Sequence, residues 1–145
     1  MQNIDVCILD LKPSKLFINI GTNDLSNPDI TIAEMIANYD KIISRVKISV
    51  PNVSIYLMAY YPINYDAATD DMKPCLLVRT NKRIDEANEA VKELARKQNV
   101  KYINITAPLK DGNGNLKEEY TIEGMHINEA GYRVIFPKFM KYVVL

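Results

Sequence analysis

Two short segments, 21–24 and 123–128, carry residue types that acid–base and acyl-transfer chemistry requires. The first reads Gly-Thr-Asn-Asp and follows the apolar run 16–20. The second reads Glu-Gly-Met-His-Ile-Asn and lies just before the last helical pattern of the chain. Cleaving an ester needs a nucleophile, a proton carrier and hydrogen-bond donors for the oxyanion that forms. The two segments hold candidates for the last two of these functions.

The first segment could supply an oxyanion donor through the side-chain amide of Asn23. Gly21 would let the backbone turn sharply away from the end of the preceding strand. Asp24 is expected to brace that turn by accepting hydrogen bonds from backbone N–H groups. The same residue types also occur in ordinary turns, where glycine and asparagine merely tolerate a positive φ. Taken alone, the segment leaves both interpretations open.

The second segment contains His126, the only histidine of the chain. Histidine is the side chain that most readily exchanges a proton near neutral pH. A tight turn at Gly124 could bring the carboxylate of Glu123 to the imidazole and fix its tautomer, as the acid does in a catalytic triad. The alternative is a surface histidine beside a solvated glutamate near a helix N-terminus. A single histidine and few thiols argue against a zinc site, and we expect neither a metal nor a cofactor.

Alternating apolar patterns predict an α/β protein with a parallel sheet and helices on both faces. Buried strands are predicted over 15–20, 53–59 and 100–105. Helices are predicted over 2–11, from a capping box at Thr31, over 78–98, and from an N-cap at Asn128, with a kink or break at Pro137. Sites in such sheets lie beyond the carboxyl ends of the strands. Segment 21–24, the long loop 60–74 and the segment leading to His126 all follow strand ends.

Together, a G-x-N-D after a strand and an acid-G-x-H-x-N before the terminal helix resemble two sequence blocks of the SGNH (GDSL-type) hydrolases. These are esterases with a Ser-His-Asp triad, and the resemblance covers nearly the whole chain. It implies a three-layer, flavodoxin-like parallel sheet whose family strand order is 2-1-3-4-5. It also implies that Asn23 is an oxyanion-hole residue, that His126 is the catalytic base, and that Glu123 occupies the place of the triad aspartate. The loop 60–74 would line the acyl or leaving-group pocket, with three tyrosines as candidates: Tyr60, Tyr61 and Tyr65.

The family's Gly-Asp-Ser nucleophile motif is absent from this sequence. Among the serines, only Ser26 lies near segment 21–24, and it is a poor substitute. A strand-helix-strand unit needs roughly 30 residues, more than precede Leu16. We therefore expect one domain over 1–145, reduced to about three strands. The first two family strands and the nucleophile would have been lost naturally, through gene annotation or through the choice of fragment.

The leading functional hypothesis is an ester hydrolase chain that lacks its nucleophile and is inactive when isolated. The complete form would act on a small ester, an acylated carbohydrate or lipid. The alternative is a truncated, non-catalytic pseudoenzyme that serves as a binding or assembly module. A third possibility is another flavodoxin-like domain with chance motifs. An in-frame Gly-Asp-Ser upstream of Met1 would favour the enzyme over the pseudoenzyme.

The net charge and the N-terminal sequence indicate which binding partners and which cellular location to expect. Lys plus Arg and Asp plus Glu both number 18, so nothing favours nucleic acid or an anionic membrane as a partner. No leader or membrane span is visible, which predicts a cytoplasmic protein if Met1 is the natural start and leaves the location open otherwise.

Without the first two family strands, the strand at 16–20 becomes an edge that carries no protective charge or proline. We therefore expect a homodimer or a higher assembly, with Phe17 and Ile18 at or near the contact.

Overall fold

The computed structural model describes residue 4 and residues 8–144. Its centre is a sheet of three parallel strands in the order β1-β2-β3. The strands are β1 (Lys15–Ile18), β2 (Ser54–Met58) and β3 (Lys101–Ile103). The α/β class and the parallel sheet predicted from the sequence are confirmed, and all three predicted strands are present.

Four helices surround the sheet. They are α1 (Ile32–Ser49), α2 (Lys73–Val78), α3 (Asn81–Lys97) and α4 (Glu129–Val143). The start of α1 has the predicted capping box, in which Glu34 N–H donates to Thr31 Oγ1 at 3.2 Å and Thr31 N–H donates to Glu34 Oε2 at 2.9 Å. Asn128 caps α4 as predicted, because its Oδ1 accepts from Gly131 N–H at 3.0 Å. No helix among residue 4 and 8–144 is both long and apolar enough to cross a bilayer.

Successive side chains of β2 alternate between the two faces of the sheet. Leu57 packs in the larger apolar cluster with buried residues of α1 and α3, such as Ile43 and Val91. Tyr56 stacks instead on Phe17 of β1, with ring centroids 4.6 Å apart, and Phe139 of α4 lies edge-on against Phe17 at 4.8 Å. The sheet therefore lies between α1 and α3 on one face and α4 on the other, which is the predicted three-layer arrangement.

Several predicted boundaries were wrong for physical reasons. Strand β1 ends at Ile18 rather than at residue 20 because the Asn19 amide donates to Ala59 O at 3.1 Å and the chain then turns towards Gly21. The short helix α2 begins at Lys73, inside the stretch 60–74 that was predicted as loop. Helix α3 starts at Asn81, not at 78, where Thr80 Oγ1 accepts from Arg83 N–H at 3.2 Å.

The predicted break at Pro137 does not occur, since α4 continues through it to Val143. Pro137 lies on the exposed side of the helix, where water can satisfy the carbonyl that loses its helical donor. Half of the predicted first helix over 2–11 falls outside the described residues. Of the other half, residue 4 is α-helical, residues 8 and 9 are π-helical and residues 10 and 11 form a turn.

Candidate active site

The first loop turns at Gly21, which has a φ of +88°. A Cβ on this residue would lie 3.1 Å from Met35 Sδ and 3.2 Å from the Tyr60 hydroxyl. Both the backbone conformation and the close contacts therefore require glycine here. The chain continues into a 3-10 turn over Asp24–Ser26.

Asn23 precedes this 3-10 turn with an exposed side chain. Its amide makes no hydrogen bond to any described residue, so it can donate outward. The expected bracing by the Asp24 carboxylate is not found among the described residues. The turn is closed by the backbone instead: Ser26 N–H donates to Asn23 O at 3.0 Å and Asn27 N–H to Asp24 O at 3.1 Å.

Tyr60 supports the same loop from inside the core. Its side chain is buried, and its hydroxyl donates to Ile20 O at 2.6 Å. Burial, and secondarily the charge of Asp24, raises the pKa of Tyr60 well above its usual value. This placement differs from the expected role as a pocket-lining residue. Of the other two tyrosines, Tyr61 lines an apolar groove beside α4 and Tyr65 is exposed on the loop.

In the second loop, one carboxylate oxygen organises the candidate base. Glu123 Oε1 lies 2.9 Å from His126 Nδ1 and also accepts from the backbone N–H groups of His126 at 2.7 Å and Met125 at 3.2 Å. Glu123 is largely covered, with 18% of its side chain exposed, whereas His126 is 70% exposed. The structure thus brings together the acid and the base that the sequence suggested, with the extra methylene of glutamate taken up by the tight turn.

Gly124 makes this turn possible. Its φ is +90°, and a Cβ there would lie 2.4 Å from the backbone oxygen of Asn64. The Gly124 carbonyl accepts from Asn64 N–H at 2.7 Å, which fixes the loop to the segment after β2. Gly124 therefore holds the candidate base in register with the rest of the site.

Thr121 is a supporting residue that the sequence analysis missed. Its Oγ1 donates to His126 O at 2.8 Å and accepts from Gly124 N–H at 2.9 Å, so one side chain closes the loop at both ends. Threonine is common at loop starts, and nothing in the spacing marked this one.

Arg79 is a second missed residue. It is buried, with 7% of its surface exposed, and its Nη1 donates to Met125 Sδ at 3.0 Å, directly beside His126 in the chain. Burial lowers its pKa from the usual arginine value. Its Nε has no hydrogen-bond partner, and no carboxylate among residue 4 and 8–144 pairs with it. Arg79 thus lies against the Met125 side chain as a buried cation.

The arrangement can hold and move a proton. With Nδ1 bound to the carboxylate, Nε2 of His126 is the atom left to accept a proton. No serine, threonine or cysteine side chain of the described residues hydrogen-bonds to this imidazole. The described residues also contain no cluster of His, Cys, Asp and Glu that could hold a metal ion.

Comparison with known proteins identifies the family. The sequence profile of the GDSL-like lipase/acylhydrolase family matches residues 3–134. The chain belongs to this family, as the resemblance implied. It is also 28% identical over 120 residues to an N-acylneuraminate cytidylyltransferase of Escherichia coli O18:K1:H7, covering 83% of this chain and 26% of that protein.

Solved structures agree with the fold. A Streptococcus pneumonia protein named for platelet activating factor is 32% identical and superimposes with a TM-score of 0.79 over 89% of this chain and 59% of its own. A catalytic mutant of an acetylxylan esterase from Geobacillus stearothermophilus, in which a serine is replaced by alanine, is 17% identical, with a TM-score of 0.71 over 97% of this chain and 64% of its own. The chain thus spans less than two thirds of the length of these proteins.

Proposed function

We propose that this chain is the acid–base part of a serine ester hydrolase that removes a small acyl group from a carbohydrate or lipid. The observation that carries the proposal is the 2.9 Å contact between Glu123 Oε1 and His126 Nδ1, in a loop that also anchors this carboxylate to the backbone. Membership of the acylhydrolase family and the outward-facing amide of Asn23 support the same reaction class.

In the proposed reaction, a serine hydroxyl outside the described residues attacks the ester carbonyl carbon and transfers its proton to Nε2 of His126. Glu123 stabilises the resulting imidazolium. The Asn23 amide donates to the oxyanion of the tetrahedral intermediate. The bond to the alcohol then breaks as His126 returns the proton to the leaving oxygen. Water attacks the acyl-enzyme with the same base, releasing the acid and restoring the serine.

The nucleophile is proposed to lie in a part of the protein that this chain does not contain. The acetylxylan esterase, whose serine-to-alanine form is a catalytic mutant, extends well beyond the region that this chain matches. A small acyl group is what the name of that relative, an acetylxylan esterase, indicates, and the His126 side chain, which is 70% exposed, is open to a substrate. By this proposal the 145-residue chain alone does not turn over esters.

The test is a longer protein that carries a Gly-Asp-Ser segment ahead of this chain. There, His126→Ala should lower kcat for a short-chain nitrophenyl ester by about 10²–10⁴-fold, as expected for a general base. Asn23→Ala should lower kcat by about 10²–10³-fold with little change in KM. Asn113→Ala, at another exposed turn asparagine, is the matched control and should leave kcat unchanged. Near-normal turnover by the His126 variant would remove the assignment.

The alternative function is a non-catalytic binding or assembly module. The observation that favours it is that the imidazole of His126 has no hydroxyl partner among the described residues. The DNA upstream of the first codon separates the two functions. An in-frame Gly-Asp-Ser there supports the hydrolase, whereas a stop codon without such a motif supports the module.

A further inference from the structure

The buried guanidinium of Arg79 takes no part in the reaction proposed above. Arg79 directly follows α2, and its backbone N–H donates to Cys75 O at 3.0 Å, which fixes the residue to the end of that helix. Only 7% of the residue is exposed. Its Nη1 donates to Met125 Sδ at 3.0 Å, and a thioether sulfur is a weak acceptor. Arg79 is thus a buried cation without a strong acceptor among the described residues.

The described residues also supply no negative charge that neutralises this cation. Its Nε has no hydrogen-bond partner, and it forms no ion pair with a carboxylate within residue 4 and residues 8–144. The groups that stabilise its charged form are a thiol, Cys75, and a phenol, Tyr60. The C-terminal end of α2 contributes only a fraction of a negative charge. Because a charge buried without a partner is costly, an anion from outside the described residues would stabilise Arg79.

Arg79 adjoins the candidate active site. Its contact Met125 immediately precedes His126 in the second loop. The Arg79 charge also opposes the rise that burial causes in the pKa of Tyr60, and the hydroxyl of Tyr60 holds the first loop just before Gly21. A ligand bound to Arg79 would therefore lie beside the loop of the candidate base and within electrostatic range of the other loop.

The shape and charge of the guanidinium favour a carboxylate as the ligand group. Its planar set of N–H donors matches the paired oxygens of a carboxylate or a phosphate. One cation neutralises a carboxylate completely but a phosphate dianion only in part. The two loops also carry the carboxyl side chains of Asp24 and Glu123, which disfavour a second negative charge on the ligand.

Met125 is a cover that such a ligand can displace. Its side chain is half-buried, unbranched and flexible, so it can adopt another rotamer at small cost. A carboxylate oxygen is a much better acceptor for a charged N–H donor than a thioether sulfur is. Rotation of Met125 would therefore exchange a weak hydrogen bond of Arg79 for a charge-assisted one.

We propose that the Arg79 guanidinium binds a carboxylate group of the substrate, so that the hydrolase acts on esters whose alcohol part is an acidic carbohydrate. The carboxylate takes the place of Met125 Sδ on the guanidinium, next to the loop that presents His126. The assignment of the ligand as a substrate rests on the proposed function. Carboxylate binding itself rests only on the contacts and the burial of Arg79.

The first measurement is binding to the 145-residue chain, followed by proton–nitrogen correlation NMR of the arginine Nε–H groups. The probe is glucuronate, and glucose is its neutral control because it has a hydroxymethyl group in place of the carboxylate. We expect the Arg79 signal to shift with glucuronate, with a Kd at least about tenfold lower than that for glucose. No shift at tens of millimolar glucuronate would overturn the proposal.

Arg83 is the internal control of the same spectrum. Its Nε is also buried without a partner, but its Nη2 donates to Asn27 O at 3.2 Å and to Ile30 O at 2.6 Å. The Arg83 guanidinium is therefore already held by backbone carbonyls, and its signal should not move. Equal shifts at the two arginines would mean that glucuronate acts on both without a specific site, which would overturn the proposal.

A lysine variant tests the donor geometry. Arg79→Lys keeps the positive charge but removes the planar set of donors, so it should weaken glucuronate binding by at least about tenfold. Arg83→Lys is the matched control and should leave the affinity unchanged. Binding is followed at the backbone amide of Met125, which both variants retain. Full affinity in a folded Arg79→Lys chain would overturn the proposal, and if that variant does not fold, the titration of the parent chain decides.

Glucose 6-phosphate distinguishes the two anions. It should bind more weakly than glucuronate, since one cation cannot neutralise its dianion. Binding at least as tight as that of glucuronate would assign the site to a phosphate and would overturn the carboxylate assignment.

The last measurement is turnover by the longer protein that carries a Gly-Asp-Ser segment. We expect a kcat/KM for acetylated glucuronate at least about tenfold above that for acetylated glucose, expressed mainly in KM. Arg79→Lys should abolish this preference and Arg83→Lys should keep it. Glucuronate binding without turnover of any ester would confirm the Arg79 site and count against the proposed hydrolase. Turnover without the preference would overturn the substrate class proposed here and leave the hydrolase standing.

Discussion

Replacing Gly124 by alanine tests whether the tight turn holds the His126–Glu123 pair. An L residue at a φ of +90° costs about 1–2 kcal/mol relative to glycine. The new Cβ would lie 2.4 Å from Asn64 O and 2.9 Å from Ala68 Cβ, so the loop must move and weaken the 2.7 Å bond from Asn64 N–H to Gly124 O. Losing that bond adds about 0.5–1.5 kcal/mol. We expect a total loss of about 1.5–3.5 kcal/mol in the free energy of unfolding.

The chain contains matched controls for each part of this loss. Gly114 has a φ of +86° with no atom within 4 Å of the point where an added Cβ would lie, so Gly114→Ala should show only the backbone cost, about 1–2 kcal/mol. Gly112 has ordinary φ and open space, so Gly112→Ala should lie within about 0.5 kcal/mol of the parent. Urea unfolding followed by circular dichroism measures all three. A Gly124 variant no less stable than the Gly114 variant would refute the role assigned to this contact.

Three other outcomes are expected. The isolated chain should not be labelled by a fluorophosphonate probe, and stoichiometric labelling that disappears in Ser26→Ala would instead make Ser26 the nucleophile. Burial raises the pKa values of Tyr39 and Tyr60 in the folded chain. The unfolded chain therefore loses these two protons at a lower pH than the folded chain does. The stability that they contribute is complete below about pH 10 and falls as the pH rises further. Tyr60→Phe should remove about 1.4 kcal/mol per pH unit from that alkaline slope, and an unchanged slope in urea unfolding between about pH 8 and 11 would contradict this. The isolated chain should form a homodimer or a higher assembly through β1, with Phe17 and Ile18 at or near the contact. Light scattering that shows a stable monomer at tens of micromolar would disprove it.

Local patterns account for what the sequence predicted well. The capping box at Thr31, the N-cap at Asn128 and the Glu123–His126 pair all depend on residues three positions apart, so their contacts follow from the chain itself. The three strands were recognisable because buried parallel strands are continuous apolar runs. These features needed no knowledge of how distant segments pack.

The errors concern residues whose environment is set by distant parts of the chain. Tyr60 looked like a loop residue, but its neighbours in space are Ile20 and Asn88, and only the packed sheet brings them together. Arg79 was not singled out from the sequence, yet it lies under a loop more than forty residues away. The Asp24 carboxylate was expected to brace the turn after Gly21, but backbone hydrogen bonds of the 3-10 turn close it instead. Burial and long-range partners of this kind leave no periodic pattern in a sequence.

The loop around His126 has a consequence for the order in which this protein folds. The contacts that Glu123 and Thr121 make within this loop join residues at most five positions apart. Closing so short a segment costs little chain entropy, and contacts of low sequence separation form faster than the pairing of parallel strands. The Glu123–His126 pairing is therefore set by local contacts, which can form before the strands pair. The later packing of the Asn64 segment against Gly124 then places the formed pair beside the sheet.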